Sequence, residues 1–177
     1  MLQKFLRKNT KEPVEIPHKD VSVLFVCMGN ICRSPTAQGV FTQQVQAAGL
    51  DDKIAIDSAG TVPYHVGKAP DSRAQSAASE RGYDLSSFRA RLVARADGEI
   101  YDYLVVMDET NLLDVRSVLN KKDWSKLHMF MDFMPGVSGR EVPDPYSGGK
   151  DDFTHVLDLV EEASQGLLTH IREAHSL

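Results

Sequence analysis

Cysteine is scarce in this chain, with two among 177 residues, both inside one ten-residue stretch. Two cysteines five positions apart do not build a disulfide framework, so a reducing, cytoplasmic setting is expected. Long apolar runs are also missing. None approaches the roughly 18 residues of a membrane span, so no membrane span is expected. The opening MLQKFLRKNTKEP lacks the apolar core of a secretory signal, and none is expected. Nor is there an excess of positive charge. With 20 Lys and Arg against 25 Asp and Glu, the net charge is −5, which argues against a broad nucleic-acid surface and leaves room for a local cationic pocket. Histidines 18, 128, 155, 170 and 175 form no pattern that needs a catalytic role.

What remains is an ordinary globular composition, 42% apolar and 25% charged, of a size for one domain. Residues 1–19 are polar and mixed in charge, with Pro13 and Pro17, and read as a flexible extension. Lys4, Arg7, Lys8 and Lys11 make a weak docking patch or a solubilising tail. Residues 20–177 read as a single domain. VSVLFV (21–26) is short, branched and apolar, as a buried strand is. Ser34 and Pro35 then suit an N-cap and a first helical residue, and Gly49 suits the end of that helix. Further strands are expected at 54–57, 101–107 and 126–130. Helices are expected at 70–81, from 108 or 109 to 119, and over 151–174. The Pro/Gly-rich segment 135–150 is expected to be a long loop. Strands alternating with helices imply an α/β fold, a parallel sheet covered on both faces. Ligands on such sheets bind beyond the carboxyl ends of the strands, where the 27–33 loop and the 108 region fall.

The stretch VCMGNICRSP (26–35) carries the chemistry. Gly29 and Asn30 both tolerate positive φ, so the turn can aim several amide N–H groups inward, beside a helix N-terminus. Arg33 adds a planar fork of donors suited to phosphate oxygens. Cys27 at the base of this cradle sits in a field that favours thiolate. Ser34 can donate a hydrogen bond to it. Such a loop binds a phosphoester, lets Cys27 attack in line, and steadies the equatorial oxygens. The leaving oxygen needs a proton, for which Asp108, Glu141 and Asp144 are candidates. Asp144 lies between Pro143 and Pro145, in VPDPYSGG, and Tyr146 can supply an aromatic wall.

Other uses of these residues fit less well. A thiol–disulfide enzyme uses CxxC spacing, whereas this pair is CxxxxC. A zinc site needs more ligands than the two cysteines, and nothing clusters with His65, the nearest histidine, so no metal is expected. A nucleotide loop would need GxxxxGK. Cys32 serves either as a structural residue or as a partner that traps oxidised Cys27 in a disulfide. Asp57 and Ser58 brace the first loop in this reading.

VCMGNICRSP resembles the signature of the low-molecular-weight protein tyrosine phosphatases. IDSAGT (56–61), YHVGKAPDSRA (64–74), RGYDLSSFRAR (81–91), YDYLVVMDETNL (101–112) and VPDPYSGG (142–149) resemble further family blocks in family order. The similarity spans about residues 21–175. The resemblance implies a three-layer fold with a four-stranded parallel sheet and a phosphate-binding loop after the first strand. It implies hydrolysis of protein phosphotyrosine and small aryl phosphates through a phosphocysteine intermediate, without cofactor or metal. Cys27 becomes the nucleophile, Arg33 the phosphate-binding arginine and Asp144 the general acid and base. Met28, Gly29, Asn30, Ile31, Cys32, Ser34, Tyr64 and Tyr146 fall around the substrate. The implied partner is a phosphotyrosine protein, with a bacterial tyrosine kinase as a candidate, and the implied state is a monomer or weak dimer.

Two readings compete with this one, a non-catalytic phosphotyrosine-binding protein and a thiol-dependent arsenate reductase. Intact Cys27, Arg33 and Asp144 disfavour the first, and the lack of cysteines after Cys32 disfavours the second. Relatives that act on phosphoarginine carry threonine where Ile31 stands, so Ile31 favours phosphotyrosine. Phe88 replaces a histidine common in bacterial members, and Ser147 replaces a second aromatic residue beside Tyr146.

Overall fold

The structure, a computed structural model, describes residues 19–136 and 140–177. The expected extension therefore lies outside the described residues except for Lys19, whose Nζ donates to the Asp51 carbonyl (2.5 Å) and the Ile54 carbonyl (3.3 Å). Residues 137–139 of the expected long loop also lie outside them.

Four strands, β1 (Val21–Cys27), β2 (Ile54–Gly60), β3 (Tyr103–Val106) and β4 (Leu127–Met129), form one parallel sheet in the order β2-β1-β3-β4. Among the described residues five α-helices connect or cover them: α1 (Arg33–Ala47), α2 (Ser72–Glu80), α3 (Asp97–Ile100), α4 (Glu109–Val118) and α5 (Lys150–His175). Strand β1 is central and buried along its whole length. Its side chains alternate with period two between the faces. Val21, Val23, Phe25 and Cys27 join the core under α1 and α5, while Leu24 and Val26 join the core that includes Val115 and Leu119. Phe25 meets Phe41 and Phe130 edge-on, with centroids 5.6 and 5.2 Å away. Burying each such ring contributes on the order of 2 kcal/mol. This gives the three-layer α/β fold implied by the resemblance.

Several local expectations need correction. The N-cap of α1 is Cys32, and Arg33 already belongs to the helix. Ser34, expected to cap, turns its hydroxyl into the loop instead, while Thr36 Oγ1 donates to the Cys32 carbonyl at 2.7 Å. Strand β2 continues through Ser58–Gly60, because pairing with β1 holds Cys27 opposite Gly60. Helix α3 was not anticipated; four residues are too few to show a period. Gly49 does end α1, with φ +68°. Tyr103, His128, His170 and His175 cluster around the start of β3, at the opposite end of that strand from the cysteine loop.

Candidate active site

The loop from Cys27 to Arg33 leaves the carboxyl end of the central strand. Its left-handed turn falls at Asn30 (φ 54°) and not at Gly29, contrary to one half of the sequence expectation. A Cβ at Gly29 would stand 3.0 Å from His65 Cδ2, so that ring would have to give slightly. Gly60 is needed for room, because its Cβ would meet the backbone carbonyl of Met28 at 2.7 Å.

The loop's carbonyls are bonded outward. Thr61 N donates to the carbonyls of Cys27 (3.0 Å) and Met28 (2.9 Å), Asp71 N to Ile31 (2.8 Å) and Thr36 N to Cys32 (3.3 Å). In a planar trans peptide the N–H points opposite to the C=O. The amides of Met28, Gly29, Cys32 and Arg33 therefore point away from those partners, an arrangement that suits an anion cradle.

Asn30 and Ser34 stand behind this cradle rather than on its wall. Asn30 Nδ2 donates to Ser34 Oγ and to Ser58 Oγ, both at 2.9 Å, and Arg91 N donates to Asn30 Oδ1 at 2.9 Å. Ser34 Oγ lies 3.1 Å from Cys27 Sγ and 3.3 Å from the Ala59 carbonyl. Ser58 donates onward to Gln38 Oε1 at 2.7 Å. Arg91 also pairs with Asp57 (2.9 Å) and Asp97 (3.0 Å). Burial works against its charge, but the two carboxylates hold the guanidinium above its ordinary range. Asp57 and Ser58 thus brace the loop. Phe88 is half-buried, and its ring packs towards α1, 3.7 Å from where a Gly39 Cβ would stand.

Arg33 is buried and draws together the distant parts. Its Nη1 bonds Asp108 Oδ2 (2.6 Å) and the Val142 carbonyl (3.0 Å), and its Nη2 bonds Asp144 Oδ2 (3.2 Å). Asp108 therefore holds the arginine. Glu141 faces away and accepts from Glu109 N (2.8 Å). Of the three proton-source candidates, Asp144 lines the cavity over Cys27.

That cavity has a volume of about 340 Å³ and is lined by Cys27, Met28, Gly29, Ile31, Cys32, Arg33, Val62, Tyr64, His65, Asp144 and Tyr146. Val62 and His65 were not among the expected site residues, though His65 adjoins Tyr64 in a quoted block. Tyr146 is flanked by the His65 ring (6.4 Å) and by the Arg73 guanidinium (5.6 Å), while Ser147 is exposed. Arg73 also donates to the Gly148 carbonyl (3.2 Å) and pairs with Asp71 (2.9 Å), which ties the Asp144 segment to the residue that caps the Ile31 carbonyl. Both cysteines are free. Burial, then the Asp71 charge, pushes the Cys32 thiol up to about 12. Among the described residues, no group of three or more His, Cys, Asp or Glu is arranged to hold a metal.

A thiol at the floor of an arginine-closed amide loop, after the central strand of a parallel sheet, is the architecture of a cysteine-dependent phosphatase. Residues 22–177 match the family model for low molecular weight phosphotyrosine protein phosphatase, and the chain belongs to that family. A low molecular weight protein-tyrosine-phosphatase of Streptomyces coelicolor is 40% identical over 154 residues, which cover 85% of this chain and 93% of the relative. The protein tyrosine phosphatase of Entamoeba histolytica, solved with Hepes in its active site, superposes with a TM-score of 0.83 at 37% identity, covering 87% of this chain and 98% of that one. Vibrio vulnificus Wzb in complex with benzylphosphonate gives 0.74 at 27% identity, covering 85% and 98%. The chain is an enzyme, a phosphatase of the phosphocysteine type.

Proposed function

We propose that Cys27, Arg33 and Asp144 carry out hydrolysis of protein phosphotyrosine, and of small aryl phosphates, as follows. The loop amides and Arg33 bind the phosphoryl group. Cys27, as thiolate, attacks phosphorus; the S–P bond forms as the P–O bond to the aryl oxygen breaks. Asp144 gives its proton to that oxygen. Water then attacks the phosphocysteine, Asp144 takes its proton, and the S–P bond breaks to return thiolate and inorganic phosphate. Ser34 steadies the returning sulfur. One contact carries the assignment: Arg33 Nη2 to Asp144 Oδ2 at 3.2 Å, across 111 residues, sets the acid beside the phosphate arginine.

The aromatic class of substrate is supported by the wall. Ile31, Val62, Tyr64 and Tyr146 line the cavity, and the related Wzb holds a benzyl group on its phosphonate. Met28, Tyr64 and Tyr146 are exposed around the mouth, which suits a protein substrate. A bacterial tyrosine kinase is the candidate partner, and a cytoplasmic site suits the two free thiols. No helix among the described residues is long and apolar enough to cross a membrane. Residues 20–177 act as one catalytic domain in this proposal, since the loop draws on residues 58, 91, 108 and 144. The test is a turnover profile across phosphotyrosine, phosphoarginine and phosphoserine substrates. Preference for phosphotyrosine is expected; equal or greater turnover of phosphoarginine would overturn the assignment of Ile31.

A further inference from the structure

We infer that Gln38, on α1, is a positioning residue for this reaction: its side-chain carbonyl fixes the direction of a chain of hydrogen bonds that ends on Cys27. The inference rests on the phosphatase reading above and on a count of protons. Ser58 has one hydroxyl proton and donates it to Gln38 Oε1 at 2.7 Å. Towards Asn30 it therefore offers only a lone pair, which Asn30 Nδ2 fills at 2.9 Å. The second Nδ2 proton goes to Ser34 Oγ, also at 2.9 Å. Ser34 now accepts from Asn30, so its own proton is free for Cys27 Sγ at 3.1 Å, with the Ala59 carbonyl at 3.3 Å as the competing acceptor. A hydroxyl that donates to sulfur stabilises the thiolate and the sulfur that leaves in the second step.

Asn30 is held the same way round by Arg91 N, which donates to Oδ1 at 2.9 Å. Gln38 is the matching constraint at the other end. Ser58 is buried, at 4% exposure, so its proton needs an acceptor within the protein. Phe88 packs towards the same helix at Gly39 and brings neither donor nor acceptor. Without the Gln38 carbonyl the Ser58 proton has no acceptor in this network unless the Asn30 carboxamide turns, at the cost of its bond from Arg91 N; that turn would draw the protons of both Ser58 and Ser34 onto Oδ1 and away from Cys27. Gln38 is only half-buried, so its replacement leaves the core intact.

The experiment compares wild type with Gln38→Leu, which removes the acceptor, Gln38→Glu, which keeps one, Ser58→Ala, and the Gln38→Leu/Ser58→Ala double variant. Two quantities are read: kcat and KM on p-nitrophenyl phosphate, and the rate of Cys27 alkylation by iodoacetate at constant pH, mapped by peptide mass. The ionisable groups lining the cavity with Cys27, namely Cys32, Arg33, Tyr64, His65, Asp144 and Tyr146, are the same throughout. Gln38→Leu is expected to lower kcat about ten-fold, the worth of one hydrogen bond, with KM nearly unchanged and alkylation slowed several-fold. Gln38→Glu should stay within about three-fold of wild type, and the double variant should be no slower than Ser58→Ala alone. Wild-type kcat and alkylation in Gln38→Leu, equal losses in the Leu and Glu variants, or multiplying losses in the double variant would each overturn the inference. A wild-type protein that alkylates at Cys27 yet hydrolyses no aryl phosphate would sink the phosphatase reading instead, and the alkylation series still decides the role of Gln38.

Discussion

Asp108 Oδ2 lies 2.6 Å from Arg33 Nη1, while Asp108 Oδ1 accepts from Asn111 N at 2.7 Å and so caps α4. One carboxylate both starts a helix and holds the guanidinium of Arg33, the phosphate-binding arginine of the proposed mechanism. Asparagine caps about as well as aspartate. Asp108→Asn should therefore keep the melting temperature nearly unchanged while kcat/KM falls about ten- to a hundred-fold, the range for a charged hydrogen bond. Steady-state kinetics and a thermal melt check both halves. A loss that grows with the pKa of the leaving group would make Asp108 a proton donor and refute this role.

Cys27→Ser should abolish turnover and retain binding of inorganic phosphate, because the amides and Arg33 remain. Isothermal titration with phosphate and an aryl-phosphate assay test the pair of outcomes. Normal hydrolysis by this variant would end the covalent mechanism.

Asp144→Asn should cost little in kcat/KM on p-nitrophenyl phosphate, whose leaving group needs no proton, and about a hundred-fold or more in kcat/KM on phosphotyrosine peptides, while kcat falls on both because Asp144 also activates water in the second step. A series of aryl phosphates of graded leaving-group pKa gives the slope. Equal losses along the series would remove Asp144 from the acid role.

The two cysteines should separate chemically. The Cys32 thiol is pushed up to about 12, first by burial and then by Asp71, so at neutral pH it stays protonated and slow to react. Iodoacetamide at pH 7 is expected to label Cys27 and leave Cys32 for much longer. Cys32 should begin to label only as the pH rises towards 12, because a raised thiol pKa delays formation of the nucleophile. Peptide mass mapping over time reads the order; labelling of Cys32 first would contradict it.

Gly166→Ala should destabilise the fold, although alanine normally improves a helix by about 0.5–1 kcal/mol over glycine. A Cβ at Gly166, inside α5, would run into the backbone carbonyl of Phe133. The backbone cannot step aside cheaply, so a fall of about 2 kcal/mol is expected by urea denaturation. A stabilised variant would mean that α5 does not approach this turn so closely.

The cysteine loop and the strands were legible because their signals are local. VSVLFV is a short run of branched apolar residues, and Gly29 and Asn30 both tolerate a left-handed turn, which falls at Asn30. The face of α5 also read directly, from Phe153 to Ile171. The support of the site was less legible. Asp108 looked like one of three acids, because nothing in the chain says that it meets Arg33, 75 residues away. Ser34 read both as a cap and as a donor to Cys27; the sulfur contact is observed, while the cap falls to Cys32. Gln38 carried no signal at all; a glutamine on a helix is usually solvated, and its partner Ser58 is 20 residues distant, on strand β2. Tertiary pairing decided each of these against the local reading.

The bonds that set Arg33 come from Asp108, Val142 and Asp144, which lie 75, 109 and 111 residues downstream. During synthesis Cys27, the proposed nucleophile, emerges early, and the last of the three groups that hold Arg33 follows when about four-fifths of the chain has left the ribosome. Chemical competence is thus a late event in the life of each molecule, acquired only when residues 142–144, beyond the last strand, are in place. A chain stalled before residue 142 carries the cysteine without two of the three groups that hold its arginine.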